Sequence, residues 1–271
     1  MTLIVSWIGV DSRSPSSIYI ASDSRISWGG NHFDQGKKVF ACRTYPDIFG
    51  YCGDVLFPLM VLNQIVDSID SGLLYSPDWD YRKKTAKVRQ RLMDSFRRYP
   101  SDVKAIMDDS VEILHGIRDD SDSSFHCMQL KWTRIDNKWR FRELPIEKHS
   151  YQIKVSGSGA NTFNEIYKGY ESRPQFKTSR AVYQTFCDTL DVIKEPTVGG
   201  APQLVGLYRK KGSSGKMFGI INRDSRYFAG LQVDNYDKMN LESVEWRNEL
   251  FERCNGINKS IIKGAQKQPH I

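Results

Sequence analysis

The sequence of 271 residues predicts an α+β domain in which antiparallel sheets and helices form separate layers. Apolar residues alternate with period two near the N-terminus, at Leu3, Val5 and Trp7, and again after residue 125, which indicates strands. Between these strands, apolar residues recur with helical spacing over residues 55–71 and 80–98. The strands and helices come in runs rather than as repeated strand–helix–strand units, so antiparallel pairing is expected.

The predicted elements have local reasons. Residues 2–10 and 16–22 are predicted as a hairpin, because residues 11–17 have the composition of a turn. Pro58 fits the first turn of the first helix, and Gly72 fits its end. The other predicted elements are, in chain order, strands 36–42 and 48–54 that complete a meander with the hairpin, helix 80–98, a short helix within 101–118, strands 125–133, 138–144 and 151–155, helices 160–170 and 179–192, strands 203–208 and 217–222 paired as a hairpin, and a helix over 240–253.

The chain is predicted to be one domain over residues 1–235, followed by a charged helical C-terminal extension over residues 236–271. Its length is sufficient for one large buried core. No internal repeat and no clear interdomain linker divide the sequence.

The composition is that of an ordinary globular protein, with 39% hydrophobic and 26% charged residues. No apolar run approaches the roughly 20 residues that a membrane helix requires. The N-terminus also lacks the basic region and the long apolar segment of a secretory signal. We therefore expect a soluble, cytoplasmic protein that does not enter a membrane.

The cysteines and histidines give no support to a disulfide framework or a metal site. The five cysteines are odd in number, and no two of them have C-x-x-C spacing, which suits a reducing compartment. The five histidines are scattered, without an H-E-x-x-H motif or a helical i, i+4 pair. We expect neither a metal nor another cofactor.

The chain is basic, because 39 Lys and Arg against 32 Asp and Glu give a formal charge of +7. The basic residues are concentrated in residues 82–98 and at the C-terminus. A basic surface can bind nucleic acid, but no helix-turn-helix, zinc or RNP pattern accompanies this charge. A solvated helix face is the favoured interpretation, and nucleic-acid binding is the alternative.

The first residues carry the groups of a nucleophile. Thr2 follows Met1 and leads directly into the first predicted strand. Methionine aminopeptidase removes Met1 readily when the next side chain is as small as threonine. The mature chain would then begin with an α-amine beside the Thr2 hydroxyl, which places a base and a nucleophile on one residue. Many proteins begin with Met-Thr, so the dipeptide alone does not establish catalysis.

Five later segments follow Thr2 in a recognisable order. They are Ala21-Ser22-Asp23-Ser24-Arg25 at a strand end, Gly36-Lys37-Lys38-Val39-Phe40 at a strand start, Gly50-Tyr51-Cys52-Gly53-Asp54 before a helix, Ser156-Gly157-Ser158-Gly159 before another helix, and Gly199-Gly200 before a late strand. With this order and spacing, residues 2–222 resemble the proteasome β-subunit and its bacterial relatives among the N-terminal nucleophile hydrolases. The resemblance implies a four-layer α-β-β-α sandwich.

The resemblance also implies roles for individual residues. Thr2 corresponds to the nucleophile, Asp23 and Lys38 correspond to its charged neighbours, and Gly50 corresponds to the glycine whose backbone N–H forms the oxyanion hole. The chemistry is consistent with these roles. An α-amine titrates at about 7.7–8.0, close enough to neutral pH to accept the hydroxyl proton. A neighbouring lysine ammonium would lower the pKa of that amine further.

Two more residues are implied in support of the N-terminus. Ser158 corresponds to the serine that helps to hold it, and Glu195 falls where the family usually has an aspartate. The family's serine near that aspartate is replaced by Val198, with Thr197 beside it. The supporting positions implied by the motifs are Arg25, Gly53, Gly157, Gly159 and Gly199.

Each assigned residue has a structural alternative. Asp23 could cap a strand-end turn, and Lys38 could be an edge lysine whose amine reaches solvent. Ser158 could be the N-cap of the following helix, and Glu195 could be a surface residue before Pro196. The glycines could serve only the backbone conformation.

Three functions therefore follow from the sequence. The favoured one is a threonine-type peptidase or amidohydrolase that cleaves amide bonds of a peptide or protein substrate through an acyl-enzyme on Thr2. The second is a catalytically silent subunit that acts as a scaffold or ring component. The third is nucleic-acid binding by residues 82–98, which we consider unlikely. The resemblance further implies assembly into a homo-oligomeric ring and an ATPase partner.

Overall fold

The structure, a computed structural model, describes residues 2–234 and 240–263. Within them it contains five α-helices: α1 (Leu56–Asp70), α2 (Tyr81–Arg98), α3 (Ser101–Ile106), α4 (Ala160–Gly169) and α5 (Ser179–Val192). A 3₁₀-helix covers Leu241–Ser243. The strands are β1 (Ile4–Val10), β2 (Pro15–Ser22), β3 (Ile26–Trp28), β4 (Asn31–Phe33), β5 (Val39–Ala41), β6 (Asp47–Gly53), β7 (Ser110–Arg118), β8 (Phe125–Thr133), β9 (Lys138–Leu144), β10 (Tyr151–Ser156), β11 (Gln203–Tyr208), β12 (Lys216–Met217), β13 (Gly219–Asn222), β14 (Ser225–Phe228), β15 (Leu231–Gln232), β16 (Trp246–Arg247) and β17 (Arg253–Cys254).

The strands form three five-stranded sheets and the two-stranded ribbon β3–β4. The first sheet has the order β10-β1-β2-β11-β12, the second sheet the order β5-β6-β7-β8-β9, and the small sheet the order β15-β14-β13-β16-β17. Among the described strand pairs, only β13 and β16 run parallel. Ile4 of β1 pairs with Ser22 of β2 and with Ser156 of β10, so the start of β1 lies beside the ends of both neighbours.

Three apolar clusters join the helices and the two large sheets. Helices α4 and α5 pack on one face of the first sheet, where Leu3 and Trp7 belong to the same cluster as Phe163. Helices α1 and α2 pack on one face of the second sheet around Phe57. The third cluster lies between the two sheets and includes Ile4. Successive residues of β1 thus enter different clusters, which explains why this strand is apolar on both faces.

The predicted α+β class with several antiparallel sheets is confirmed. The predicted meander of the first four strands is wrong, because the β1–β2 hairpin lies in the first sheet and the β5–β6 pair lies in the second. The two pairs face each other instead of sharing hydrogen bonds. This separation places the end of β2 near the start of β5.

The helix predicted within residues 101–118 is only partly present. It covers Ser101–Ile106, and the rest of the segment is β7, the central strand of the second sheet. Nearly every residue of β7 is buried, so no exposed polar face reveals a period of two. Glu112 and His115 are buried within the strand and interrupt the apolar run from which it could have been identified.

Two predictions in the C-terminal part are wrong. Residues 217–222 do not form one hairpin partner of β11, because only β12 pairs with β11 and β13 belongs to the small sheet. The helix predicted over residues 240–253 is replaced by the 3₁₀-helix and by β16 and β17. Trp246 and Cys254 are buried with Ile221, so burial in the small sheet outweighs the helical pattern of this segment.

Residues 236–239 and 264–271 of the predicted C-terminal extension, and Met1, lie outside the described residues, and the division of the chain at residue 235 stays a prediction. The five cysteines are buried and unpaired. Within residues 2–234 and 240–263, no three His, Cys, Asp or Glu side chains are grouped as ligands for a metal ion. None of the helices in this part of the chain combines the length and the hydrophobicity needed to cross a bilayer.

Candidate active site

Thr2, Asp23 and Lys38 come from three strand ends that meet between the two large sheets. Thr2 lies just before β1, Asp23 directly follows β2, and Lys38 directly precedes β5. Because β1 and β2 are antiparallel, the start of one lies beside the end of the other. Thr2 is 1% exposed, and Asp23 and Lys38 are 0% exposed. The fold therefore removes a hydroxyl, a carboxylate and an ammonium from water at one place.

The Lys38 ammonium joins the other two side chains. Its Nζ donates a hydrogen bond to Thr2 Oγ1 at 2.6 Å and to Asp23 Oδ1 at 2.9 Å. An ammonium has donors only, so Thr2 Oγ1 must be the acceptor in this contact. The hydroxyl proton of Thr2 is thus directed to some other acceptor. The predicted alternative of a lysine that reaches solvent does not describe Lys38, whose side chain is 0% exposed.

Asp23 is held by backbone donors as well as by Lys38. The N–H of Leu3 donates to Asp23 Oδ1 at 3.1 Å. The N–H groups of Arg25 and Gly199 donate to Oδ2 at 3.2 and 3.1 Å. These donors and the ammonium stabilise a carboxylate that would otherwise be costly to bury. Asp23 therefore caps its own strand-end turn through Arg25 and also provides the counter-charge of Lys38.

Gln203 is a part of this site that the sequence analysis missed. Its side chain is 1% exposed. Its Oε1 accepts the N–H of Lys38 at 3.1 Å, and its Nε2 donates to the carbonyls of Asp23 at 3.1 Å and of Gly36 at 2.7 Å. Gln203 thus fixes the backbones on which Asp23 and Lys38 stand. A glutamine at the start of a predicted strand gives no sequence signal of this role.

Ser158, Thr197 and Glu195 form a second hydrogen-bonded group. Ser158 Oγ lies 2.9 Å from Thr197 Oγ1, which donates to Glu195 Oε1 at 2.7 Å. Since the single Thr197 proton is used toward Glu195, Ser158 must donate to Thr197, and its own oxygen lone pairs point elsewhere. The alternative of Ser158 as a helix N-cap is wrong, because Gly159 is the N-cap of α4 and no side chain caps it.

Two glycines allow the backbone to approach the site closely. Gly157 has φ +93°, and a Cβ at this position would lie 1.8 Å from the carbonyl oxygen of Thr2. A Cβ on Gly199 would lie 2.6 Å from Cζ of Arg25. Position 157 therefore requires glycine, whereas a side chain at position 199 would displace the Arg25 guanidinium. The N–H of Gly159 also points to the Thr2 carbonyl, at 3.5 Å.

Gly50, which the sequence resemblance implied as the oxyanion donor, lies inside β6 and is paired with Leu114 of β7. The N–H of Tyr51 donates to the Lys38 carbonyl at 3.2 Å. Neighbouring amides of a strand point to opposite sides, so the Gly50 N–H points into the ladder with Leu114. Gly53 ends β6 with φ +93°, outside the conformation of a regular strand.

Arg25 ties the segment that carries Glu195 and Thr197 to the end of β2. It binds the carboxylate of Asp34 through two nitrogens, at 2.7 and 2.8 Å, and donates to the carbonyls of Pro196 and Val198 at 3.2 and 3.4 Å. The hydrogen bond from Arg25 holds the pKa of Asp34 below its usual range, and the same bond raises the pKa of Arg25. Sequence reasoning missed Asp34, which no motif marks.

The predicted site residues thus fall into two adjacent groups. Thr2, Lys38 and Asp23 form one, and Ser158 and Glu195 form the other through Thr197. Backbone bonds from Gly199 to Asp23 and from Gly159 to Thr2 bring the two groups together. The hydroxyl of Thr197, beside the departure at Val198, was the one sequence signal for this link.

No protein-family model matches the chain. None of the curated proteins matches it either. Among the solved structures that resemble its fold are two Anbu structures. One is a helical assembly of the Anbu complex from Pseudomonas aeruginosa, with 14% identity over 87% of this chain and 88% of that chain and a TM-score of 0.59. The other is Anbu, an ancestral β-subunit, from Yersinia bercovieri, with 11% identity over 84% of this chain and 87% of that chain and a TM-score of 0.56.

These structures correct the resemblance inferred from the motifs. The motifs pointed to the proteasome β-subunit and its bacterial relatives, whereas the structural neighbours are Anbu proteins, a proteasome-like but distinct family. The motifs describe the strand ends and turns of the site, which proteasome-like folds share, and so they do not separate one such family from another. At these identities the likeness establishes the fold, which is proteasome-like.

Proposed function

We propose that this chain is a subunit of a homo-oligomeric, proteasome-like assembly and that Thr2 makes it an N-terminal threonine hydrolase. The fold shared with the two Anbu structures supports the first part, since one of them is a helical assembly. One observation supports the second part. The Lys38 ammonium lies 2.6 Å from the Thr2 hydroxyl and is held there by a buried Asp23.

The chemistry begins with the removal of Met1, which gives Thr2 a free α-amine. Lys38 donates to Thr2 Oγ1, so the hydroxyl proton is left for that amine, which accepts it as general base. The positive charge of Lys38 stabilises the developing alkoxide and favours the unprotonated amine. Asp23 keeps Lys38 in place throughout.

The reaction then proceeds in two steps. Thr2 Oγ1 attacks the carbonyl carbon of an amide, the C–N bond breaks, and the amine of Thr2 passes its proton to the leaving nitrogen. The acyl group remains on Thr2 as an ester. Water, deprotonated by the same amine, attacks this ester. The ester C–O bond then breaks, the acid is released, and the ammonium returns the proton to Thr2 Oγ1. No cofactor takes part in this scheme.

We propose Gly53, and not Gly50, as the backbone donor to the oxyanion. It stands at the end of β6, two residues after Tyr51, whose N–H donates to the Lys38 carbonyl at 3.2 Å. One such donor contributes about 2.7–4 kcal/mol to the transition state in other enzymes. We also propose that the helices and large sheets stack as the four-layer sandwich that the sequence resemblance implied, an order which the three apolar clusters support.

A catalytically silent subunit is the second candidate, and one observation favours it. Thr2 is only 1% exposed in the chain that begins with Met1, so a substrate has no access to its hydroxyl in this form. The likeness to a helical Anbu assembly supports a role in assembly without requiring catalysis. The two candidates differ in what happens after Met1 is removed.

The decisive experiment is the intact mass of the purified protein, followed by reaction with a peptide vinyl sulfone. The proposal expects a mass short by one methionine and a single adduct on Thr2. Thr2→Ser should keep the adduct and Thr2→Ala should lose it, while both keep the wild-type circular dichroism. Retention of Met1, or a mature Thr2 that never reacts, would leave the silent subunit as the function.

Assembly is tested separately by light scattering of the chromatographed protein. A mass of several chains supports the homo-oligomer, and a monomer at micromolar concentration contradicts it. A peptide or protein substrate is part of the proposal. The ATPase partner and the cytoplasmic location stay predictions.

A further inference from the structure

A cavity lies beneath the N-terminal half of α2, away from Thr2. It has a volume of about 220 Å³ and lies between α2 and the second sheet. Met128, Leu130 and Phe141 give it an apolar wall, and His115 of β7 also lines it. The helix contributes Thr85 to the lining. A mostly apolar cavity with a few polar groups is the usual form of a small-molecule site.

His115, which lines this cavity, is bound through one ring nitrogen. Its Nε2 lies 2.7 Å from Asp47 Oδ1, and the hydroxyl of Tyr75 donates to Asp47 Oδ2 at 2.6 Å. Burial and the Asp47 charge raise the pKa of Tyr75, so the phenol keeps its proton. Asp47 is 0% exposed and needs donors, so Nε2 of His115 carries a proton toward it. The Nδ1 atom is the ring nitrogen left for a ligand.

The rim of the cavity has an excess of positive charge. The Arg89 guanidinium lies 5.0 Å from the centre of the Phe141 ring, and Arg82 is also part of the lining. The acidic group of the lining, Glu143, is already bound by His126 at 2.7 Å. Nε of Arg82 donates to the Tyr81 hydroxyl at 3.1 Å. Arg89 is therefore the arginine of the lining that is left for an anion, and Phe141 holds it over the apolar wall.

We propose that this cavity binds a small organic acid with a flat apolar body, a carboxylate at one end and a hydroxyl at the other. The carboxylate pairs with Arg89 at the rim, the body lies against Met128, Leu130 and Phe141, and the hydroxyl meets Nδ1 of His115. A hydroxyl suits this nitrogen because it can donate or accept. The site is independent of the chemistry proposed for Thr2.

The test is calorimetric titration of the full-length chain with 4-hydroxybenzoate. A ligand of this size is expected to bind with a Kd on the order of 1 mM. Benzoate, which lacks the hydroxyl, and 4-hydroxybenzyl alcohol, which lacks the carboxylate, should each bind more weakly by about tenfold, the loss expected for one hydrogen bond to a charged or buried group.

Two variants locate the site. Arg89→Gln should weaken 4-hydroxybenzoate binding about tenfold, whereas Arg91→Gln removes the same charge from the same helix outside the cavity and should change nothing. Ala86→Trp, at an exposed position of the lining, should block binding without disturbing the His115–Asp47 pair. Equal losses in the two arginine variants, full binding to Ala86→Trp, or no saturable binding would each overturn the proposal. The reaction of Thr2 with the vinyl sulfone should be the same in all three variants.

Discussion

Asp23 and Asp47 are two fully buried carboxylates, one beside each large sheet, and their surroundings differ. Asp23 accepts three backbone N–H groups and the Lys38 ammonium. Asp47 accepts two side chains, Tyr75 and His115. Most donors to Asp23 are backbone N–H groups, which a substitution does not remove. The donors to Asp47 are two side chains, which a substitution can remove.

This difference separates a preorganised site from a packed polar cluster. The donors to Asp23 belong to four separate chain segments, so the carboxylate cannot shift without moving the start of β1 and the segment before β11. A group fixed in this way presents Lys38 to Thr2 without reorganisation. Asp47 has no such ties to the N-terminus, and we expect its loss to affect the stability of the second sheet and not the chemistry of Thr2.

The largest effect is expected from Lys38→Met, which breaks the first cluster. Asp23 would then be buried without a counter-charge, and the free energy of unfolding should fall by about 3–5 kcal/mol. The reaction of Thr2 with a peptide vinyl sulfone should slow by at least about 100-fold. Denaturant unfolding and the labelling rate measure the two effects. Lys37→Met is the control variant, since it makes the same change one residue earlier. A wild-type free energy of unfolding and a wild-type labelling rate in Lys38→Met would contradict the role of Lys38.

Asp47→Asn probes the second cluster and should have a smaller, purely structural effect. We expect the free energy of unfolding to fall by about 1–3 kcal/mol, because Tyr75 and His115 lose a charged acceptor. The labelling rate of Thr2 should stay at the wild-type value. Tyr75→Phe is the comparison variant, because it removes one donor and keeps the Asp47 carboxylate. A large loss of Thr2 labelling in Asp47→Asn would contradict this prediction and show that the two clusters are coupled.

Thr197→Val sharpens the comparison within the active site itself. It removes the hydroxyl that orients Ser158 and keeps the shape of the side chain. The labelling rate should fall by about tenfold, the loss expected for one hydrogen bond in a buried network. Thr197→Ser restores the hydroxyl and should restore the rate. If Thr197→Val and Thr197→Ser have equal labelling rates, the Thr197 hydroxyl has no role in the mechanism.

Much of the fold followed from sequence, because most strands and helices have one clear period. The helix predicted over residues 179–192 and the strand over 203–208 coincide with α5 and β11. The C-terminal strands could not be foreseen, since β16 and β17 are two residues long and depend on contacts with Ile221 and β13. Pairing between such short, distant segments leaves no local pattern.

The candidate site followed from sequence where motifs mark strand ends, as at Thr2, Asp23 and Lys38. The sequence could not choose between Gly50 and Gly53 as the oxyanion donor, because only the hydrogen-bond register of β6 distinguishes the two glycines. Gln203 was missed for a related reason. It acts through backbone contacts with residues far away in the chain, and nothing in its neighbourhood records them.

The smallest predicted effect concerns the apolar layer between the two sheets. Burial raises the pKa of Cys52 and Cys127 to about 12, against an ordinary value of about 8.5 in the unfolded chain. The unfolded thiols therefore lose their protons first, and the stability they contribute is complete below pH 8.5 and declines as the pH rises toward 12. For each of the two thiols, the free energy of unfolding should fall by about 1 kcal/mol between pH 8.5 and 9.5.

Denaturant unfolding at the two pH values measures this slope. The variants Cys52→Ala and Cys127→Ala should each reduce it by the share of one thiol. An increase of stability over the same interval would contradict the protonated state of these two thiols between the sheets.

The long reach of the Asp23 hydrogen bonds has a consequence for biosynthesis. Gly199, whose N–H binds this carboxylate, follows it by 176 residues, and Gln203 follows it by 180. A ribosome exposes the N-terminal hairpin long before it makes either partner, and contacts of such separation form late in folding. The nascent chain thus carries Thr2 without the surroundings that would activate it. Under the proposed function, the order of translation would therefore keep Thr2 unreactive until the residues around Gly199 and Gln203 have been synthesised.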